Sequence, residues 1–507
     1  MTTRRGPPDG MRLLAVGDGD APRWRLQQVG ALVPDADLAN SQNEHFVVGA
    51  WDFEPGEEDE AAQFETAKQH AGVGFASPKS GVLVLANTLL GGSGMLAVPH
   101  ALANAGYLLG LALLWFFGCA SAFGCHLLQC VARKVGRAPC TFYTVSNAVA
   151  PRWTWLIDGA VMVKCFGVGT SYLIIVGDLA PDAARFFGAG EIERWHAVTV
   201  GFAVAGTLSC FRNLSGLAYT AIASMCIAAW TAALIVLFAV SPGGFFEPCG
   251  EGAALPCGGA TFEPFAVADP LELCRGLPVF IFGFTCHQNI FTICNEVKDA
   301  SRRTVDYIII SAYAFSGVAF ASSAIFAYAT HGNKVASDVL KGYPQTSAVE
   351  LTRLLFCLLA IFSYPLQAHP SRNSAISLWN SFVHGSCCGG GARGAELTQA
   401  SKASEDPGAP AADAARAAEH ARLDSRRFAV ATVVGLALSY AIAIKVTDLG
   451  MILAVVGATG STMVSYILPG MLYVKSFPRR HLKRYFALCQ LGLGCVIMPV
   501  SLALILY

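Results

Sequence analysis

A glycine-rich break lies in the middle of the first strongly apolar stretch of the chain. The stretch runs from 81 to 104, and Gly91, Gly92, Ser93 and Gly94 interrupt it at its centre. These residues hold a helix poorly, and a helix broken inside a bilayer leaves backbone amides and carbonyls without partners. Hydrocarbon tolerates such groups only where protein or a polar cavity receives them. The break therefore indicates either close helix packing through small residues or a binding site.

A matching break five apolar stretches later favours the binding site. Between 277 and 289, Pro278 comes early, Gly283 lies at mid-depth, and a polar cluster around His287 follows. Breaks in the first and sixth spans are what an inverted five-plus-five repeat produces, with half-helices meeting at the bilayer midplane. Half-helix N-termini offer free N–H groups to a carboxylate, and exposed carbonyls attract an ammonium group or a metal cation. A zwitterionic amino acid is complementary to both.

Two ionisable residues lie inside apolar stretches, where charge is expensive and often functional. His287, with an ordinary pKa of about 6.5, either responds to a proton gradient or serves as a hydrogen-bonded structural histidine. Lys164 lies near mid-depth of the third stretch, and it takes part in ion coupling, snorkels towards the cytosol or forms a structural pair. Asp178 and Asp448 lie near span ends, where we expect them to be solvated or to cap helices.

The elements that must position these residues follow from the composition, which indicates an integral membrane protein. The 507 residues are 54% hydrophobic and 14% charged, with a mean hydropathy of +0.49, whereas soluble domains have about 25% charged residues. Lys plus Arg balance Asp plus Glu at 35 each, so no nucleic-acid partner is indicated. The chain has no phosphate loop, zinc-ligand spacing or nucleophile elbow. We therefore expect no enzymatic activity, cofactor or resident metal, and transport driven by an ion gradient or running passively.

Windows of about 20 apolar residues, the length that crosses a bilayer, predict an all-α fold with about eleven membrane spans. The spans cover 81 to 104, 107 to 131, 154 to 179, 195 to 211, 214 to 240, 271 to 295, 305 to 330, 347 to 368, 427 to 446, 449 to 474 and 484 to 507. The fourth is short and tightly linked to the fifth, so ten spans is the competing count.

Lys and Arg collect in alternate links, which places the N-terminus in the cytosol by the positive-inside rule. Residues 1 to 80 are then predicted to be a disordered cytosolic tail before a transmembrane domain of 81 to 507. Residues 385 to 425 are predicted to form a flexible cytosolic loop, and 241 to 270 a loop on the lumenal or extracellular side. Cys249 and Cys257 in the latter loop either form a disulfide or remain free thiols.

Several motifs carry a resemblance to known membrane proteins. The first span, from Asn87 to Pro99, contains an Asn, a small-residue hinge, Leu and Pro. The sixth reads Phe-Thr-Cys-His-Gln-Asn-Ile-Phe from 284 to 291, with Asn-Glu at 295 to 296. Further matches lie at 164 to 172, 177 to 181, 363 to 370 and 456 to 470. Together they resemble the amino acid/auxin permease family, most closely its vacuolar amino acid transporter branch, and the family includes sodium-coupled neutral amino acid transporters.

The resemblance implies a LeuT-like fold, with eleven spans in a five-plus-five inverted repeat and broken helices 1 and 6. The hinge would hold the substrate carboxylate, although it is one residue longer here than the usual Gly-small-Gly. The segment from Phe282 to His287 would contact the amino group and side chain of the substrate. The residues expected to line the site are Tyr172, Phe282, Phe284, Thr285, Cys286 and His287. Asn87 and Ser363 would correspond to ligands of the coupling cation in sodium-dependent members.

These patterns predict a secondary active amino acid transporter that works by alternating access in a lipid bilayer. We expect proton-coupled export from a vacuole or lysosome to the cytosol, with His287 and Lys164 as the candidates for proton coupling. One alternative is a sodium-coupled importer of neutral amino acids at the plasma membrane. The other is a transporter-like amino acid sensor whose N-terminal tail binds cytosolic partners.

Overall fold

A computed structural model describes most of the chain. The described residues are 11–16, 23–28, 64, 66, 68, 74, 76–136, 138, 140–210, 218–240, 262–266, 270–383 and 411–506. The chain divides into two units, Met1–Glu54 and Pro55–Tyr507. In the first, strands β1 (Met11–Val16) and β2 (Arg23–Gln28) pair antiparallel, with Met11 opposite Gln28. The Leu, Val and Trp residues of these segments favour strand, and the disordered tail of residues 1 to 80 stays a prediction.

The second unit is helical in the residues that the structure describes. Its α-helices are α1 (Pro78–Leu90), α2 (Gly94–Ala103), α3 (Tyr107–Val135), α4 (Phe142–Val149), α5 (Thr154–Phe186), α6 (Arg194–Ser209), α7 (Ala218–Val240), α8 (Pro270–Gly283), α9 (Ile290–Glu296), α10 (Arg302–His331), α11 (Ser347–Val383), α12 (Ala411–Lys445), α13 (Leu449–Val456), α14 (Leu468–Ser476) and α15 (Leu482–Leu506). Short 3₁₀ turns cover Pro151–Trp153, His287–Asn289, Gly332–Lys334 and Val339–Gly342. The prediction of an all-α membrane domain is confirmed.

Nine helical segments in the described residues are long and apolar enough to cross a membrane, and the pair α1 and α2 gives a tenth. The predicted fourth span corresponds to α6, which has 16 residues, fewer than the roughly 20 that cross a bilayer. The residues that follow it, 211 to 217, lie outside the described part of the chain. The count of eleven spans therefore stays a prediction, as does the inverted repeat.

Both predicted breaks are present. Helix α1 ends at Leu90 and α2 begins at Gly94, with a bend of 57° between them. In the sixth span α8 ends at Gly283, and a 3₁₀ turn precedes the seven-residue α9. A third irregularity was not predicted, because the tenth span changes to π-helix at Gly457–Ser461 and Met463–Ile467, between α13 and α14.

The broken spans are held inside a frame of long helices. Helices α5 and α11 pack along each other, and α10 packs against α1, α2 and α3. The sixth and tenth spans are mostly buried by protein, whereas α15 and residues 426–445 of α12 are mostly exposed. Exposed apolar side chains over a whole helix are expected where lipid replaces water as the solvent.

Local signals set several helix ends. The Ser77 hydroxyl accepts the Ser80 N–H at 3.3 Å, and Pro78 occupies the first turn of α1, where its missing N–H costs nothing. Asp448 caps α13 by accepting the Gly450 N–H at 2.9 Å, as predicted. Gly136 ends α3 with φ of 63°, a conformation that favours glycine.

Three sequence-based expectations concern the connecting segments and the span ends. Helix α12 begins at Ala411, where Ala, Glu, Arg and Leu are strong helix formers, and the flexible loop of 385 to 425 stays a prediction. Asp178 is neither solvated nor a cap, since its side chain is buried and ion-paired (below). Cys249 and Cys257, in the predicted 241 to 270 loop, lie outside the described residues.

Candidate functional site

A small cavity lies where the two broken spans meet. It is lined by Thr88, Leu89, Gly92, Gly94, Lys164, Val168, Tyr172, Phe282, Gly283, Thr285 and Gln367. The lining combines the ends of the half-helices α1, α2 and α8 with side chains from α5 and α11.

The two broken spans touch directly at this cavity. A Cβ added to Gly94 would lie 3.0 Å from the Gly283 Cα, so the half-helices approach more closely than side chains allow. The Asn289 amide of the 3₁₀ turn donates to the Thr88 hydroxyl of α1 at 2.6 Å. The breaks in spans one and six are therefore joined by both packing and a hydrogen bond.

None of the hinge glycines has a positive φ, so the space around each one decides whether a side chain would fit there. A Cβ on Gly91 would lie 2.7 Å from the Asn87 carbonyl oxygen. The Ser93 hydroxyl is buried and hydrogen-bonds the Ser171 hydroxyl of α5 at 2.9 Å. Gly92 is different, since a Cβ there would meet only the Tyr172 hydroxyl, at 3.9 Å. Of the four predicted hinge residues, Gly92 and Gly94 line the cavity. Gly91 and Ser93 do not line it, and they pack against Asn87 and Ser171.

His287 is connected to the cavity through two hydroxyl groups. Thr285 lines the cavity, and its hydroxyl lies 3.1 Å from the Ser465 hydroxyl. That hydroxyl lies 3.1 Å from His287 Nδ1, while His287 Nε2 has no hydrogen-bond partner among the described residues. A Cβ on Gly124 would lie 2.6 Å from Nε2, so the glycine leaves room for the ring. His287 thus lies behind the lining and is joined to Thr285 through the Ser465 hydroxyl.

Two predicted lining residues face away from the cavity. The Phe284 ring stacks on Tyr313 and packs edge-on against Phe320, both on α10. The Cys286 thiol lies 3.2 Å from the Tyr313 hydroxyl and 4.0 Å from the Cys125 thiol. The chain leaves helical geometry after Gly283, which turns these side chains towards α3 and α10.

The two predicted cation ligands are not brought together by a hydrogen bond in the described residues. The Asn87 side-chain oxygen accepts the Ser224 hydroxyl of α7. Ser363 is half-buried on α11, and neither residue lines the cavity. Within the described part of the chain, no group of three or more His, Cys, Asp or Glu residues is placed to hold a metal ion.

Lys164 lines the cavity and is 3% exposed. Val168 and Tyr172 follow on the same stripe of α5, at the spacing of one helical turn. The π-helical segment packs against this stripe, because a Cβ on Gly460 would lie 2.6 Å from the Lys164 backbone nitrogen. Val168 was not among the predicted lining residues, although its spacing from Lys164 and Tyr172 on α5 could have indicated it.

The other lining residues missed from the sequence are Thr88, Leu89, Gly283 and Gln367. A polar residue within the apolar eighth span was the available signal for Gln367, and Thr88 lies three residues before the break at Gly91. Leu89 and Gly283 carried no signal beyond their closeness to the breaks, since apolar and small residues occur throughout the spans.

A buried ion cluster lies at the end of α5 that is distant from Lys164. The Asp178 carboxylate lies 3.0 Å from Arg194 Nε and 2.8 Å from Lys341 Nζ. Asp338 is buried beside it in the connector between α10 and α11. Burial, and then the charge of Asp178, raises the pKa of Asp338 to about 7. Since Asp338 and Lys341 are in a connector and Asp178 and Arg194 are on helices, the cluster ties the connector to α5 and α6.

Comparison with known proteins identifies the family to which the chain belongs. The family described as "Transmembrane amino acid transporter protein" matches residues 75–507. "Vacuolar amino acid transporter 5" of Schizosaccharomyces pombe is 31% identical over 79% of this chain and 85% of that protein. "Vacuolar amino acid transporter 5" of Saccharomyces cerevisiae is 31% identical over 78% of this chain and 88% of that protein. "Vacuolar amino acid transporter 6" of the same yeast is 28% identical over 80% and 91%. The chain belongs to the transmembrane amino acid transporter family, the amino acid/auxin permeases.

Proposed function

We propose that this protein is a secondary active transporter that moves amino acids by alternating access, coupled to protons, from a vacuolar or lysosomal lumen to the cytosol. The observation that carries the proposal is the cavity at the junction of the two broken spans. Membership of the family and the names of the vacuolar relatives support the substrate class and the membrane.

The helix ends at the cavity are suited to a zwitterion. The N-terminus of α2 at Gly94 offers backbone N–H groups and the positive end of its dipole to the substrate carboxylate. The C-termini of α1 and α8, at Leu90 and Gly283, offer carbonyl oxygens and negative dipole ends to the substrate ammonium group. Phe282 and Tyr172 then supply apolar and aromatic surface beside the substrate side chain.

Proton coupling is assigned to the relay of Thr285, Ser465 and His287. Hydroxyl groups both donate and accept hydrogen bonds, so the two oxygens can pass a proton between the cavity and His287. A half-helix that moves during alternating access changes the distances in this relay. Protonation of His287 and the position of the sixth span are then linked.

Transport in proteoliposomes tests the proposal. Uptake of a labelled neutral amino acid is measured under an acid-outside gradient, under a sodium gradient, and without either. We expect the acid gradient alone to stimulate uptake, and a protonophore to abolish the stimulation. Protein-free liposomes control for leakage.

Other outcomes contradict the proposal in different ways. Stimulation by sodium without a response to pH would indicate a sodium-coupled importer, with Asn87 and Ser363 as the cation ligands to test next. Saturable amino acid binding with no flux under either gradient would indicate a transporter-like sensor.

A further inference from the structure

Lys164 is a charged residue that lines the cavity, and the proposed transport mechanism gives it no role. It lies two helical turns before Tyr172 on α5, which separates their Cα atoms by about 12 Å at 1.5 Å per residue. Tyr172 marks the hinge end, because its hydroxyl is the nearest atom to a Cβ built on Gly92. Lys164 therefore lies towards the opposite end of the cavity from the hinge.

The charge of Lys164 is not balanced by the protein. Every other residue lining the cavity is uncharged. No hydrogen bond or ion pair joins the Lys164 ammonium to another residue in the described part of the chain. The titratable groups that interact electrostatically with it are the thiols of Cys165 and Cys286 and the imidazole of His287, and none of them is a carboxylate.

An unpaired ammonium group in a buried site is costly, and a ligand that brings the opposite charge removes that cost. The α-carboxylate of an amino acid is already matched by the amides of α2 at the hinge. A second carboxylate, on the side chain, can reach towards Lys164 while the α-carboxylate stays at the hinge. A side-chain ammonium or guanidinium group would meet a like charge instead.

We propose that Lys164 sets the charge preference of the site, so that it takes amino acids with a side-chain carboxylate, takes neutral ones less well and rejects cationic ones. The inference rests on the proposed function, because it assumes that the cavity is the amino acid site. The inference adds the charge class of the substrate to the proposed function, and it names Lys164 as the residue that determines this class. Lys164 acts here by contact with the substrate, and no covalent step is involved.

Binding and counterflow measured on the full-length protein test the inference. The probes are glutamate, alanine and lysine. Their binding is measured by ligand-induced shifts in thermal unfolding, and their exchange by counterflow of labelled amino acid in proteoliposomes. We expect wild-type protein to bind glutamate most tightly and lysine least. A charge-assisted hydrogen bond lost from a buried site weakens binding by about tenfold or more, so Lys164→Met should lose glutamate affinity by that factor and keep alanine affinity.

Two further variants serve as controls for charge and for position. Lys164→Arg keeps the positive charge, so the preference for glutamate over alanine should survive. Val163→Met introduces the same side chain at the neighbouring position of α5, where Val163 is exposed to lipid, and should leave all three affinities unchanged.

The proposal is overturned if wild-type protein binds alanine as tightly as glutamate, or if Lys164→Met weakens both by the same factor. Failure of the proposed function looks different, since the binding shifts would then be present without any exchange of labelled amino acid. If Lys164→Met does not fold, Lys164→Gln and Lys164→Arg supply the same comparison between an uncharged and a charged side chain.

Discussion

Asp338→Asn should stabilise the protein at neutral and alkaline pH, and the gain should disappear in acid. Asp338 is 1% exposed, and one of its carboxylate oxygens accepts the Leu340 N–H at 3.0 Å. The other oxygen has no hydrogen-bond partner among the described residues. Burial and the charge of Asp178 raise its pKa from 3.8 to about 7, although Lys341 and Arg353 oppose the rise. Asparagine keeps an oxygen for the Leu340 N–H and removes the charge.

The sign and size of the effect follow from proton binding. The folded protein holds the Asp338 proton more tightly than the unfolded chain does. This contribution to stability is therefore complete below about pH 4 and is lost as pH rises to about 7. A difference of about 3 between the two pKa values is worth roughly 4 kcal/mol of unfolding free energy. At an unfolding entropy of about 2 cal/mol/K per residue, as in globular proteins, this corresponds to about 4 °C in Tm.

Thermal unfolding of the purified protein in detergent, from acid to alkaline pH, measures this difference. The quantity of interest is the Tm of Asp338→Asn minus that of wild type, because other titrating groups cancel in it. We expect a value near zero in acid that rises to about 4 °C above pH 7. Asp448→Asn removes an exposed carboxylate with the same capping role and controls for the loss of a cap. A difference that does not change with pH would refute the reasoning.

Three further predictions concern the cavity. Gly94→Ala places a Cβ 3.0 Å from the Gly283 Cα, so it should destabilise the protein by about 1 to 3 kcal/mol and reduce transport, as measured by Tm and uptake. Gly92→Ala has room beside the Tyr172 hydroxyl at 3.9 Å, so it should leave Tm unchanged and alter only the substrate affinity; equal losses of Tm in both variants would contradict this geometry. His287→Gln retains a hydrogen-bonding group but cannot take up a proton, so it should abolish stimulation by a pH gradient and preserve counterflow at equal pH. The buried His331, which does not line the cavity, gives the matched Gln variant, and a pH response that survives in His287→Gln would remove His287 from the coupling step.

The breaks in the first and sixth spans could be predicted because their signals are local. Glycine and proline disfavour a regular helix wherever they occur, and the polar residues around His287 stand out against apolar neighbours. The π-helical part of the tenth span was not predicted, although Gly457 and Gly460 lie in it. Gly460 approaches the Lys164 backbone there, and no local pattern reports a contact between segments almost 300 residues apart.

The direction of side chains was predicted less well than the position of the breaks. Phe282 and Thr285 line the cavity, whereas the intervening Phe284 packs against Phe320. A helical periodicity cannot place these residues, because the helix ends at Gly283. Asp178 likewise has the sequence context of a span end, and only the packing of α6 brings Arg194 to within 3.0 Å of it.

The sequence by itself determined that this is a membrane protein, where its helices are interrupted, and which few residues inside the bilayer can carry charge. These properties depend on composition and on short-range spacing, which hydrocarbon constrains strongly because unpaired polar groups are so costly in it. Tertiary structure alone decided which groups face the cavity and which charges find partners there. Asp178 meets Lys341 and Arg194, and Lys164 meets uncharged neighbours, because the rotation and depth of each helix are set by packing between distant segments.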